Sequence, residues 1–82
     1  PDSSRTVTGH TDDVPIANGQ FRDNRDLGAG RAASVVQAIQ NTGLISGDRL
    51  SAVSKGEMAP LADNNTAAGR EQNRRIEIEI SY

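Results

Sequence analysis

The chain contains no cysteine and no tryptophan, and its 82 residues include one phenylalanine (Phe21), one tyrosine (Tyr82) and one histidine (His10). Without cysteine there is neither a disulfide framework nor a thiolate metal site, and that absence suits reducing and oxidising compartments alike. With so few aromatics, the core must be built from Val, Ile, Leu and Ala. No apolar run approaches the roughly 20 residues needed to cross a bilayer, and the start carries no signal-peptide pattern. A leader or membrane tether would therefore lie outside these residues. A one-signed charge is missing too: nine Lys and Arg stand against eleven Asp and Glu, for a net charge of −2. The pI is about 5.2. Nucleic-acid binders usually present a basic face, so no nucleic-acid partner is expected.

What is present is periodic. Ile76-Glu77-Ile78-Glu79-Ile80-Ser81-Tyr82 alternates strictly, which predicts a strand with three isoleucines and Tyr82 on a buried face and a wet opposite face. Such a sheet is antiparallel or mixed and covered by helices on one side. From about Asp26 to Thr42 the pattern is helical, with Ala32, Val35, Val36 and Ile39 forming one stripe. Asn24 is the expected N-cap, and Gly43 stands where a left-handed residue would end the helix. Gly28 and Gly30, costly in a helix by up to about 1 kcal/mol each, predict close approach of another surface. Shorter strands are expected near Arg5–Gly9 and Arg49–Lys55, and a short helix over Asn64–Asn73 interrupted by Gly69. The connection Thr11–Asp23 is long for a small domain, a length often tied to function. With 82 residues, residues 1–82 are read as one domain that buries only roughly 60–70% of its unfolded surface.

Few residues invite chemistry. Gly9-His10-Thr11-Asp12-Asp13 places a histidine beside two carboxylates, but one His without a second His or Cys is thin for zinc, and oxygen ligands are too few for calcium. No metal, cofactor or catalytic residue is assigned, because nothing resembles a nucleophile elbow. The plain alternative is a turn in which Thr11 and Asp12 satisfy backbone groups. Asp63-Asn64-Asn65 lacks the glycine and distal glutamate of a calcium loop and reads as a turn. Arg31 falls off the apolar stripe, with Leu27 at i−4. It is either a solvated arginine or, with the helix N-terminus, a site for a carboxylate. In Asn73-Arg74-Arg75 one arginine is expected to pair with an acid or a carbonyl and join helix to strand.

Taken in order, these segments resemble a known family. Thr8-Gly9-His10-Thr11-Asp12-Asp13-Val14-Pro15-Ile16 is similar to the turn of OmpA/MotB-type C-terminal peptidoglycan-binding domains. Asn24-Arg25-Asp26-Leu27-Gly28-Ala29-Gly30-Arg31-Ala32 resembles that family's helix start. Arg49-Leu50-Ser51-Ala52-Val53 with Gly56-Glu57, and Pro60–Asn64 through Asn73-Arg74-Arg75-Ile76-Glu77-Ile78, resemble its later strand and closing section. The Asp-Val-Pro-Ile loop is most similar to the MotB-like flagellar stator branch.

The resemblance implies an α+β two-layer sandwich, a small mixed sheet covered on one face by helices. It implies non-covalent binding of the peptidoglycan stem peptide through meso-diaminopimelate, in a periplasmic protein held to the inner or outer membrane by other segments. Asp12 matches the family's aspartate for the ammonium and Arg31 its arginine for a carboxylate, while Leu27 and Thr11 match pocket-lining positions. Two departures stand out. The family's first strand and helix have no counterpart before Thr8, so the domain is expected to be incomplete at its N-terminal end. Arg25 stands where relatives often carry tryptophan. An oligomerisation or assembly module, with a second copy supplying the lost unit, is the alternative function.

Overall fold

The computed structural model describes residues 3–82. The order of elements is β1 (Ser4–His10), α1 (Asn24–Asn41), a short 3-10 turn (Gly47–Arg49), β2 (Leu50–Gly56), α2 (Ala67–Asn73) and β3 (Ile76–Ser81). The three strands form one mixed sheet in the order β2-β1-β3. β1 pairs parallel with β2, with Val7 opposite Ala52, and antiparallel with β3, with Val7 opposite Ile78. A parallel pair needs a crossover, and α1 supplies it. This is the small, mixed α+β sheet that the alternation of the last strand and the helical stripe predict.

Register assigns the faces, because directly opposed residues share one. Val7 and Gly9 of β1, Leu50 and Ser54 of β2, and Ile76, Ile78 and Ile80 of β3 look toward the helices. Thr6, Thr8 and His10 share the open face with Val53, Lys55, Glu77 and Glu79. α1 lies over β1 and β2. The core is correspondingly small: Val7 and Ala32 are wholly buried and Leu50 nearly so. Val35, Val36 and Ile39 of the predicted stripe are only half-buried. β3 is covered least, with Ile78 52% and Ile80 43% exposed. The expectation of a buried Tyr82 fails outright. The strand ends at Ser81, and Tyr82 is fully exposed, with no paired neighbour to hold it against a face.

Local chemistry sets the helix ends, one of them differently from expectation. The N-cap is Asp23, whose Oδ1 accepts from the Asp26 amide at 2.9 Å, while Asp26 Oδ2 accepts from the Arg22 amide at 3.0 Å. Asn24 is the first helical residue, and its side chain is used elsewhere. Two adjacent residues could each cap, and the exposed carboxylate took the task. Gly43 adopts φ 74° and ends α1 as predicted. Thr66 caps α2 by accepting from the Gly69 amide at 2.9 Å.

The glycines of α1 have the expected cause. A Cβ on Gly28 would lie 2.5 Å from Ser54 Oγ and 3.0 Å from the Gly9 carbonyl oxygen, so helix and sheet meet there backbone to backbone. Gly30 faces the Phe21 ring, where a Cβ would lie 2.8 Å from the ring edge. The reciprocal contact is tighter: a Cβ on Gly9 would sit 2.0 Å from the Gly28 carbonyl oxygen. Gly9→Ala must push α1 off the sheet, and a loss of about 3 kcal/mol is expected, at the upper end for overpacking. Gly28→Ala meets mainly a rotatable hydroxyl and should cost less. Denaturant titration of both variants checks the order.

Candidate ligand-binding site

The long connection after β1 is built from side chains that tie down their own backbone. Asp12 Oδ1 accepts from the Val14 amide at 3.1 Å, and Asn18 Oδ1 accepts from the amides of Gln20 and Phe21 at 2.8 Å each. Asn24, buried at the start of α1, donates to the Val14 carbonyl at 3.0 Å and to Glu57 Oε2 at 3.4 Å. The Val14-Pro15-Ile16 segment is thereby held over the first turns of α1. Beneath it lies a cavity of about 290 Å³ lined by Asp12, Val14, Pro15, Ile16, Asn24, Leu27, Arg31, Arg70 and Arg74.

Three of the four residues singled out from the sequence meet in this cavity: Asp12, Leu27 and Arg31. Leu27 and Arg31, one helical turn apart, point the same way, as their spacing requires. Thr11 does not line it. Its side chain is buried, and its hydroxyl donates to the Asp12 carbonyl at 2.7 Å, so it shapes the backbone that presents the carboxylate. The Asp12 side chain is only 12% exposed, and Oδ2 accepts from Arg74 Nη1 at 2.6 Å. Each carboxylate oxygen therefore has a fixed protein donor and keeps acceptor capacity for a further one. Arg70 has no role in the sequence reading, Asn24 is expected there only as a cap, and Arg74 meets the expectation of an arginine paired with an acid, with a partner that the sequence does not name. The Asp12–Arg74 pair spans 62 positions, and no local spacing signals it.

Arg75 takes the structural role foreseen for one of the two arginines. Its Nη2 donates to the Ala59 carbonyl at 2.9 Å, and its Nε to Glu77 Oε2 at 2.5 Å. That contact holds the Glu77 carboxyl below the usual range. Asn73 is wholly buried. Its Oδ1 accepts from the amides of Leu61 and Ala62 at 2.8 and 3.0 Å, and its Nδ2 donates to the Ala62 carbonyl and Asn64 Oδ1 at 3.0 and 2.7 Å.

His10 belongs to the other face of the sheet. It is 3% exposed, and neither ring nitrogen has a hydrogen-bond partner among the described residues. Nε2 lies 3.6 Å from Glu77 Oε1, too far for a hydrogen bond. Its neighbours are thus Glu77 and Arg75, while Asp12 turns to Arg74, so the His–Asp sequence cluster does not act as one group. Among the described residues no three His, Cys, Asp or Glu side chains are placed to share a metal ion.

Burial foremost, then the charge of Arg75, lowers the His10 pKa, with Lys55 adding to this and Glu77 opposing it. The unfolded chain then takes up the proton first as pH falls. Stability should be constant above the ordinary histidine value of about 6.5 and decline below it until the folded pKa is passed. His10 is the sole histidine. A thermal midpoint that falls between pH 7 and 5.5 in the wild type and stays level in His10→Asn is the expected result.

A mixed sheet with helices on one side carries, at the end of its central strand, a cavity with one carboxylate among guanidiniums, an arrangement chemically suited to a ligand bearing both charges. Comparison with known proteins sharpens that reading. The OmpA family model matches residues 1–74, and the chain belongs to the OmpA family. It is 44% identical over 80 residues to outer membrane porin F of Pseudomonas aeruginosa, covering 98% of this chain and 22% of that protein. It is 36% identical over 81 residues to the peptidoglycan-binding protein ArfA of Mycobacterium tuberculosis, covering 99% of this chain and 23% of that protein. The chain thus spans about a quarter of the length of these relatives. Among solved structures, the C-terminal domain of Helicobacter pylori MotB superimposes with a TM-score of 0.90 at 32% identity, over 99% of this chain and 61% of that one. The cell wall anchor of the type VI secretion system (T6SS) of P. aeruginosa gives 0.85 at 36% identity, over 94% and 53%. No helix among the described residues is long and apolar enough to cross a membrane.

Proposed function

We propose that this chain binds peptidoglycan non-covalently through the diaminopimelate of the stem peptide, and so anchors a larger membrane or periplasmic protein to the cell wall. The observation that carries the reading is one cavity whose wall holds both a buried, pre-oriented carboxylate, Asp12, and an arginine without a carboxylate partner among the described residues, Arg31. Diaminopimelate offers an ammonium and a carboxylate on one carbon. Asp12 takes the ammonium, Arg31 takes the carboxylate, and Leu27 packs on the methylene chain that joins the two α-carbons of the residue. Thr11 holds the Asp12 backbone in place. Binding of this kind needs no bond to be made or broken, and the chain acts as a ligand-binding module in the periplasm. The names of the wall-binding relatives, ArfA and the secretion-system anchor, support the same reading.

A direct test is calorimetric titration with a diaminopimelate-containing muropeptide, with a lysine-containing stem as comparison. Saturable binding of the first and markedly weaker binding of the second is the expected result, because lysine at that position lacks the second carboxylate. A folded chain that binds neither would overturn the reading. An assembly module is the second reading, favoured by one observation: β3 is an edge strand whose Ile78 and Ile80 stand about half exposed. Light scattering that reports a dimer, unchanged by wall fragments, would support it.

A further inference from the structure

The cavity holds more positive charge than one ammonium–carboxylate clamp requires. Three guanidinium groups, Arg31, Arg70 and Arg74, face one carboxylate, Asp12. Arg74 already pairs with Asp12 through Nη1, yet its side chain is 41% exposed, which leaves its other N–H groups accessible. Arg70 donates through Nη1 to a neutral acceptor, the Asn64 carbonyl at 2.9 Å, and pairs with no carboxylate among the described residues. A ligand that gives one carboxylate to Arg31 and its ammonium to Asp12 would leave Arg70 and the outer N–H groups of Arg74 with no added anion in the same cavity.

We propose that Arg70, with the outer N–H groups of Arg74, forms a second carboxylate subsite, so that the cavity distinguishes stem peptides carrying free carboxylates from those in which a carboxylate has been amidated. The inference rests on the wall-binding reading above. The physical ground is donor–acceptor matching. A guanidinium is donor-only, and a carboxylate is acceptor-only. Amidation leaves size and shape nearly unchanged, but it removes the charge and replaces one acceptor oxygen by an NH2 group that points donors at donors. The loss is a charge-assisted, fork-like contact.

Two groups in a stem peptide could supply the second carboxylate: the α-carboxylate of the γ-linked glutamate before diaminopimelate, and the terminal carboxylate of a stem that ends at diaminopimelate. The experiment titrates the protein with three tripeptide muropeptides, one with all carboxylates free and one amidated at each of these positions. Wild type is compared with Arg70→Gln, Arg70→Lys and Arg31→Gln, each checked for an unchanged thermal midpoint. Amidation at one of the two positions should weaken wild-type binding roughly tenfold to a hundredfold, the scale of a hydrogen bond to a charged group. Arg70→Gln should bring that ratio close to one, and Arg70→Lys should retain part of it as a point charge without the fork. Arg31→Gln should weaken all three peptides and leave the ratio in place. Equal binding of all three peptides by the wild type, or an unchanged ratio in Arg70→Gln, would overturn the second subsite while leaving wall binding intact. Failure of every peptide to bind would overturn the wall-binding reading itself.

Discussion

Asp12→Ala is expected to abolish measurable binding of a diaminopimelate muropeptide, with Arg31→Ala close behind. Removing one partner of a buried charged contact typically costs about 2–5 kcal/mol, equivalent to a factor of roughly 30 to several thousand in affinity. Asp12 should lie at the upper end for a reason internal to the protein. Its carboxylate, 12% exposed, is the counter-ion of Arg74. Its loss removes the acceptor for the ligand's ammonium and also leaves one more uncompensated guanidinium to repel that ammonium. Arg31 is exposed on α1 and pairs with no carboxylate among the described residues, so its removal should take away one ligand contact and disturb little else. Arg74→Ala gives the internal check. It should weaken binding less than Asp12→Ala, and the double variant should lose less than the sum of the two single losses, because the two side chains act partly through one another. Equal, additive losses would show that Arg74 is irrelevant to how Asp12 is presented.

The second large effect concerns stability. Asn73→Ala should cost about 3 kcal/mol, measured by denaturant unfolding. The wholly buried Asn73 amide serves two backbone N–H groups, one carbonyl and the Asn64 side chain. Truncation leaves these groups partly buried without partners, and each such group costs on the order of 1–3 kcal/mol before water or local relaxation offsets it. Asn73→Asp should fare little better. It keeps the acceptor for Leu61 and Ala62 but sets a carboxylate against the Ala62 carbonyl. For a core in which, among the described residues, Val7, Ala32 and Leu50 are the buried apolar ones, this amide is a large share of what fixes the segment between β2 and α2.

These two residues illustrate what a sequence can reveal. Leu27 and Arg31 are one turn apart on a helix, and the spacing alone places them side by side. Asp12 needs only the end of a strand. The pairing of Asp12 with Arg74 spans most of the chain and depends on α2 ending beside the start of the long connection, which no periodicity encodes. Asn73 is a polar residue in a run of polar residues, and nothing local marks it as the most buried of them. The capping of α1 shows a smaller failure of the same kind: Asp23 and Asn24 are both competent, and the choice falls to Asp23 because Asn24 is drawn inward to Val14 and Glu57. Tyr82 departs from the pattern because alternation continues in the letters after pairing has stopped. The cost of Gly28, by contrast, is legible, and its cause, Ser54 together with the Gly9 backbone, is a contact that only the folded chain displays.

The position of β1 has a mechanical consequence. It is the central strand, bonded along its length to β2 on one side and β3 on the other, and the Asp12 carboxylate lies two residues past its end. Tension applied at the cavity along the strand axis would load both ladders in shear, so that many bonds share the force and must fail together. The same tension at an edge strand, directed across the sheet, would break bonds one at a time. The central position of β1 thus makes the fold most resistant to a pull along the direction in which the strand delivers its carboxylate.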